Sequence, residues 1–466
     1  MKRMRTLMLA GMVFSALDSG MAQTNIPTAR FKLITVDPGH FHAALVQKFM
    51  YADVDPVVHI YSPGGDDLAE HLKRIDRFNS RDPDPTRWQS QTYTGPDFFP
   101  RMLAEKPGNV VVLAGNNAKK ADYILQCVKA GLNVLADKPM AITPGDFEKL
   151  KQAFEVAAAN KVLLYDIMTE RFEITTMLQR ELSRHTELFG ELVKGTADEP
   201  AITKESVHHF SKIVAGAPLK RPTWFYDVRQ QGEGIVDVTT HLVDLIQWEA
   251  FPEQTLKVTD AEVLRARRWA TSITPEQFSK TTGADQFPAG LKQDVKDGAL
   301  QVYANGEFTY RLRGVHAKAS VIWNFEAPPG TGDTHHSVMR GTKATLAIVQ
   351  GATQNYKPVL YVRNESTTSS TGFGSILERA VESLQGKYPG IGVQRDQDSW
   401  RITIPEKYNN GHEAHFAQVT EQFLTYLRAG RLPDWEVPNM ITKHATIMKA
   451  FEMSRRAARP HGELTR

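Results

Sequence analysis

From residue 30 to about residue 168 the chain alternates short apolar runs with amphipathic stretches, and this alternation limits the fold more than any other feature. Runs of four to six β-forming residues need cover on both faces, and the amphipathic stretches between them supply it. That arrangement is a parallel sheet with helices on its two sides. Residues 31–36 read as the first strand. Pro38-Gly39 then turns the chain, and Phe41, Ala44, Leu45 and Phe49 recur at helical spacing. Residues 56–61 form a second strand, and the valine-leucine run at 109–114 is a strand buried on both faces. A further strand over 133–136 follows a helix at 120–130 that Gly131 closes. The expected class is α/β, with a Rossmann-type parallel sheet over residues 30–168.

A length of 466 residues exceeds what one hydrophobic core normally holds, and 41% apolar residues suffice for two. Residues 169–460 are therefore expected to form a second, α+β domain with a mainly antiparallel, open-faced sheet. Alternating runs at 300–303, 307–313 and 317–326 support that sheet, with Asn305-Gly306 read as a hairpin turn between the first two. An open sheet face is suited to a ligand or a second subunit, so a homo-oligomer is expected. Residues 265–298 read as a loop-rich insertion in which Thr274-Pro275-Glu276-Gln277 starts a short helix. No internal repeat or low-complexity tract interrupts the chain.

The first 22 residues have the layout of an export signal: basic Lys2, Arg3 and Arg5, an apolar stretch from 6 to 17, and Gly20-Met21-Ala22 before Gln23. Cleavage between Ala22 and Gln23 would make the protein periplasmic or secreted, with no stable membrane insertion afterwards. It would also remove three basic side chains and one acidic one, taking the net charge from +3 to +1. A nearly neutral chain argues against nucleic acid as a partner. The single cysteine, Cys127, cannot form an internal disulfide, so packing alone must hold the fold.

Two strings carry chemistry. Asp137-Lys138-Pro139 stands at the end of a predicted strand. Asp237-x-x-x-His241-x-x-Asp244 lies about a hundred residues later on a helix predicted over 233–248. Positions 237, 241 and 244 share one helix face. Ile235, Val238, Leu242, Leu245, Ile246 and Trp248 leave little room for that face to be simply solvated, so the polar stripe should line a cleft. An ammonium and an imidazole backed by carboxylate can move a proton off a carbinol while a nicotinamide takes the hydride.

A dinucleotide site normally needs three glycines at the first turn. The frame here is Asp37-Pro38-Gly39-His40-Phe41-His42, and only Gly39 survives. Asp37 would repel phosphate, whereas His40 and His42 near a helix N-terminus would partly compensate as hydrogen-bond donors. The alternative is a Pro-Gly turn with two surface histidines. As zinc ligands His40 and His42 fare poorly, because i,i+2 side chains on a helix diverge and no third ligand is evident; no metal is expected. Ser62, ending the second strand, can hydrogen-bond a ribose hydroxyl, and its neutrality leaves NAD and NADP both open. Asn116 and Asn117 either turn their amides toward the cofactor or form an ordinary loop. The pairs His208-His209, His335-His336 and His412-x-x-His415 each lack a clear ligand set.

The stretch Asn133-Val134-Leu135-Ala136-Asp137-Lys138-Pro139 resembles the Gfo/Idh/MocA oxidoreductase family, the sugar and inositol dehydrogenase group, with Asp137 in place of that family's glutamate. Glu170-Arg171-Phe172, Leu188-Phe189-Gly190-Glu191-Leu192, the segment Gly232 to Asp244, and Phe423-Leu424 through Pro433 continue the similarity nearly to the end of the chain. The resemblance implies an NAD(P)-dependent oxidoreductase acting on a sugar, polyol or glycoside. It implies that His241 exchanges the hydroxyl proton, that Asp237 orients or charge-balances it, and that Lys138 positions the hydroxyl. Lys138 and Pro139 would also border the cofactor, and Asp244 would be structural. The first turn departs from the family pattern. Two alternatives follow: a redox-neutral, glycoside-cleaving enzyme with tightly bound NAD, and a non-catalytic sugar- or partner-binding protein that has lost the cofactor.

Overall fold

The structure, a computed structural model, describes residues 30–214, 217–366 and 369–457; the predicted export signal and its cleavage point lie outside them. The first half runs β1 (Leu33–Val36), α1 (His42–Leu45), β2 (Val57–Ser62), α2 (Asp66–Ser80), β3 (Gln89–Thr94), α3 (Phe98–Glu105), β4 (Val110–Leu113), α4 (Lys120–Lys129), β5 (Asn133–Asp137), α5 (Pro144–Asn160) and β6 (Leu164–Ile167). The six strands are parallel in the order β3-β2-β1-β4-β5-β6. β1, β4 and β6 are buried along their whole length, as the unbroken apolar run of β4 requires, and only Asn133 of β5 is partly open. The order reverses between β1 and β4, and a doubly wound sheet opens a crevice at that point, beyond the strands' carboxyl ends.

The first helix is the main departure from expectation here. Helical spacing over 41–49 predicts two turns or more, yet α1 is four residues long. A turn of type Asp37-Pro38-Gly39 occupies the preceding residues, with Asp37 at a φ of 49°. Helix α5 is better specified: Thr143 and Asp146 cap it reciprocally.

After a single 3₁₀ turn at Thr169–Phe172 come α6 (Ile174–Ser183), β7 (Ile202–Ser211), β8 (Ile213–Val214), β9 (Ala217–Pro218), α7 (Val228–Gln231), α8 (Thr239–Ala250), β10 (Ala261–Ile273), α9 (Pro275–Thr282), β11 (Val295–Lys296), β12 (Ala299–Leu312) and β13 (Val315–Glu326). Then follow β14 (Thr334–Arg340), β15 (Ala344–Val349), β16 (Val359–Asn364), α10 (Ser370–Glu382), β17 (Gly392–Asp396), β18 (Ser399–Thr403), α11 (His412–Ala429) and α12 (Glu436–Ala457). The second sheet is ordered β10-β12-β13-β7-β14-β15-β16-β18-β17, with β11 on β12, and only the β7–β13 pair is parallel. The expected α/β class, a parallel Rossmann-type sheet followed by a mainly antiparallel one, is what the chain forms.

Three local readings need correction. Asn305-Gly306 is no hairpin turn: β12 runs straight through it. Asn305 donates to the Trp269 carbonyl at 3.2 Å and to Thr271 Oγ1 at 2.8 Å, and accepts from the Trp323 amide at 2.7 Å. Gly306 is small because Ile235 packs where a Cβ would sit, 2.6 Å from the nearest side-chain carbon. Residues 265–298 are not mainly loop, since β10 extends to Ile273; the capped helix inside them, α9, does form, with Thr274 and Gln277 as its capping box. Helix α8 begins at Thr239 rather than 233, so Asp237 stands in the turn before it. Among the described residues no helix is long and apolar enough to cross a membrane.

Candidate active site

β5 ends in Asp137, and the next residue, Lys138, reaches across to the turn before α8. Its Nζ donates to Asp237 Oδ1 at 2.7 Å, with both side chains largely buried. The other oxygen, Oδ2, accepts from Gln231 Nε2 at 3.1 Å. Asp237 is therefore Lys138's partner. The His241 imidazole makes no hydrogen bond to Asp237, which stands in the turn before the helix that carries it. His241, in the first turn of α8, is buried and its Nδ1 has no partner. Burial, then the charge of Lys138 and the neighbouring His412, holds its pKa well below the ordinary imidazole range.

Asp244 turns away from this group. It accepts from Arg171 Nε at 2.6 Å and Nη2 at 2.8 Å, and from Lys443 Nζ at 2.8 Å. Its structural role follows from that buried network, which Glu436 and Asp166 complete.

The proposed dinucleotide contacts fare differently. Ser62 is buried and its Oγ accepts from the Gly64 amide at 3.1 Å, so the hydroxyl shapes the turn after β2. Asn116 donates to Gln230 Oε1 at 2.7 Å, and Asn117 donates to the Gln231 carbonyl at 2.7 Å. Both side chains fasten the loop after β4 to α7. Pro139 follows Lys138 through a cis peptide.

At the first turn the backbone amides are already used. Gly39 donates to the Asp37 carbonyl at 2.8 Å, His40 to Ala114 at 3.1 Å and Ala43 to His40 at 3.0 Å. Gly39 must stay a glycine, because a Cβ there would lie 2.8 Å from Asp67 Oδ2 and 3.0 Å from the Trp224 ring; the Trp224 indole donates to Asp67 at 2.8 Å, and Gly39, His40, Asp67 and Trp224 together line a pocket. His40 and His42 are not a surface pair. Both Nδ1 atoms face Asp137 Oδ2, at 3.6 and 2.9 Å. The sequence reading found no third group to accompany them, and the fold supplies one from a strand 95 residues on. A dinucleotide thus fits unevenly: Lys138 and His241 suit a nicotinamide and a carbinol, and a pocket opens beside Gly39, whereas Asp37 is a poor neighbour for a pyrophosphate.

Several residues of the cleft were missed. Glu170, in the 3₁₀ turn after β6, has its pKa raised to about 7 by burial and by Glu173. His412, at the start of α11, brings Nε2 to 3.8 Å from Glu170 Oε1, and its ring lies tilted 5.7 Å from that of His42. Asp333 gathers His208 Nδ1 at 3.0 Å, His209 Nδ1 at 3.2 Å and Lys212 Nζ at 2.5 Å. Burial works against the Asp333 carboxylate, but His208 and Lys212 outweigh it and hold its pKa well below the usual value. Only the histidine pair could have been noticed in the sequence, since its acid lies 124 residues away.

Residues 39–165 match the family described as "Oxidoreductase family, NAD-binding Rossmann fold", and residues 178–455 match "Putative oxidoreductase C terminal domain". No curated protein sequence matches. Among solved structures, a "putative oxidoreductase" of Parabacteroides merdae is 53% identical, covers 92% of this chain and 99% of its own, and superposes with a TM-score of 0.90. A levoglucosan dehydrogenase solved with NADH and levoglucosan is 13% identical over 91% of this chain and 97% of its own, with a TM-score of 0.57. A 3-ketoreductase of Actinomadura kijaniata solved with NADP is 15% identical over 90% and 96%, with a TM-score of 0.53. The last two share the fold. With both halves of the chain matched, and one solved relative alike over almost its whole length, the protein belongs to the Gfo/Idh/MocA oxidoreductases, which carry an NAD-binding Rossmann domain.

Proposed function

We propose that the protein oxidises or reduces a secondary alcohol of a sugar, polyol or glycoside, with Lys138 and His241 managing the proton. The observation that carries this reading is the 2.7 Å pair between Lys138 and Asp237 at the end of β5, with His241 one turn further on. Held neutral, the His241 imidazole is an acceptor for the carbinol proton. The Lys138 ammonium, fixed by Asp237, stabilises negative charge on the substrate oxygen as it develops. Gln231 holds the second oxygen of Asp237 and so keeps the ammonium in place. NAD or NADP, when bound, supplies the hydride acceptor or donor. A carbohydrate substrate agrees with the levoglucosan bound to one protein of the same fold, and reduction of a carbonyl with the 3-ketoreductase named for another.

The test is turnover of a panel of glycosides and polyols followed at the absorbance of reduced nicotinamide, for the wild type, Lys138→Ala and His241→Ala. Each variant should lose about 10²-fold or more in kcat while far-ultraviolet dichroism shows that it stays folded. Activity retained within a factor of three in either variant would remove that residue from the mechanism.

The first turn, with Asp37 and His42 in place of two glycines, favours a second reading, a sugar-binding protein that keeps the fold without exchanging dinucleotide. Native mass spectrometry separates the two: one nucleotide per chain, copurified or added, supports the oxidoreductase, and an empty protein that also refuses added NAD and NADP supports the binding protein.

A further inference from the structure

The turn that departs from the family pattern carries two imidazoles aimed at one carboxylate. His42 Nδ1 lies 2.9 Å and His40 Nδ1 3.6 Å from Asp137 Oδ2, and one ligand atom from each residue falls within a sphere where all separations are under 4.8 Å. Donor atoms bound about 2.0–2.1 Å from a common zinc-like ion are roughly 3.0–3.5 Å apart. The two measured separations bracket that range. We infer that His40, His42 and Asp137 form a binding site for a first-row divalent cation at the carboxyl ends of β1 and β5.

The i,i+2 spacing of the histidines does not prevent this, because α1 starts only at His42. His40 belongs to the turn, and the change of backbone direction between the two brings rings that would diverge on a helix to a centroid distance of 4.0 Å, edge to face. Their chemistry also suits a cation. Burial pushes both pKa values well below the ordinary range, helped at His40 by His42 and at His42 by His412, so both are neutral ligands at neutral pH.

An independent observation comes from the carboxylate. Asp137 is 2% exposed, and its Oδ1 is buried without a hydrogen-bond partner. The nearby Lys120 ammonium does not supply one, since it donates to the Asp137 backbone carbonyl at 2.9 Å. The histidines face Oδ2, so a cation removes the cost of the lone Oδ1 only if the carboxylate holds it through both oxygens. A hydrogen bond between His42 and Asp137 would account for one imidazole, and the long contact from the His42 amide to His40 Nδ1, 3.4 Å, is one a cation would displace; neither reaches Oδ1.

Two nitrogens and one carboxylate make a mixed donor set of the kind that zinc and iron(II) accept, with coordination positions left over. Lys138 follows Asp137 directly, so those positions border the cleft of Lys138 and His241. A cation there would bind and polarise a hydroxyl or carbonyl oxygen of the substrate. The binding claim itself is independent of the hydride reading, and its test uses metal content alone.

The full-length chain is stripped with a chelator, loaded with Zn²⁺, desalted and assayed by elemental mass spectrometry; Co²⁺ loading followed by visible absorption reports the ligand field. One equivalent should be retained. His40→Gln, His42→Gln and Asp137→Asn should each weaken retention about tenfold or more, and His208→Gln in the separate Asp333 cluster should not. If the buried His42 and Asp137 variants fail to fold, His40→Gln decides, since its ring is only partly buried on a turn; its far-ultraviolet dichroism confirms folding. Retention of less than a tenth of an equivalent by the wild type overturns the inference, and so does full retention by folded His40→Gln.

Discussion

Glu170 stands in the cleft with a carboxyl group that changes charge near neutral pH, the property expected of a proton-transfer group. Burial and Glu173 raise its pKa to about 7, so it is protonated below that pH and ionised above it. The plot of kcat/KM against pH should therefore bend near 7, and Glu170→Gln should abolish the bend; an unchanged bend would exclude this residue. The sign for stability is opposite to that of a salt-bridged acid. A raised carboxyl pKa means that stability is lost as pH rises from the ordinary glutamate value through about 7, and Glu170→Gln should relieve that loss at pH 8. The sequence made Lys138 and His241 legible because each sits in a short local string. It hid their neighbours. Asp237 reads as a backing carboxylate for His241 by spacing alone, yet its partner is Lys138, 99 positions earlier. Asp137 reads as a family variant, and nothing local reveals that it meets His40 and His42.

Among the elements, α8 shows how a helix that points a polar stripe inward is held. Asp244 sits between Arg171, from the turn after β6, and Lys443, from α12. Asp244→Asn would leave two cations buried beside a neutral amide. Chemical denaturation at pH 7 should show a loss of about 3–5 kcal/mol. The direction with pH follows from the carboxylate's lowered pKa: its contribution is complete above about pH 4, the unfolded value, and disappears as pH falls through the lower folded value. The gap between wild type and variant should thus close on acidification; a gap independent of pH would mean that charge is not the cause. Elements with strong periodicity were readable from sequence, β4 and β5 above all. Asn305-Gly306 was not. The pair favours a hairpin by local preference, but Asn305 bonds to β10 and β13 and Gly306 makes room for Ile235, and those tertiary contacts decide.

At the scale of the whole molecule, a single buried cation joins the second sheet to its helices. Lys204, on β7, contacts Glu249 of α8 at 2.6 Å and Gln179 of α6 at 3.0 Å, and Gln179 accepts in turn from Ser337 of β14. Lys204 and Glu249 are both fully enclosed. Lys204→Met should cost about 3–5 kcal/mol by stranding the carboxylate, whereas Lys204→Met with Glu249→Leu should regain most of it. A double variant no better than the single one would show that the pair itself is needed for packing.

The Trp224 indole, hydrogen-bonded to Asp67, joins a loop of the second half to the first helix after β2 and covers Gly39. The wall of the pocket beside Gly39 is thus built by both halves of the chain, so a substitution in either half reshapes it.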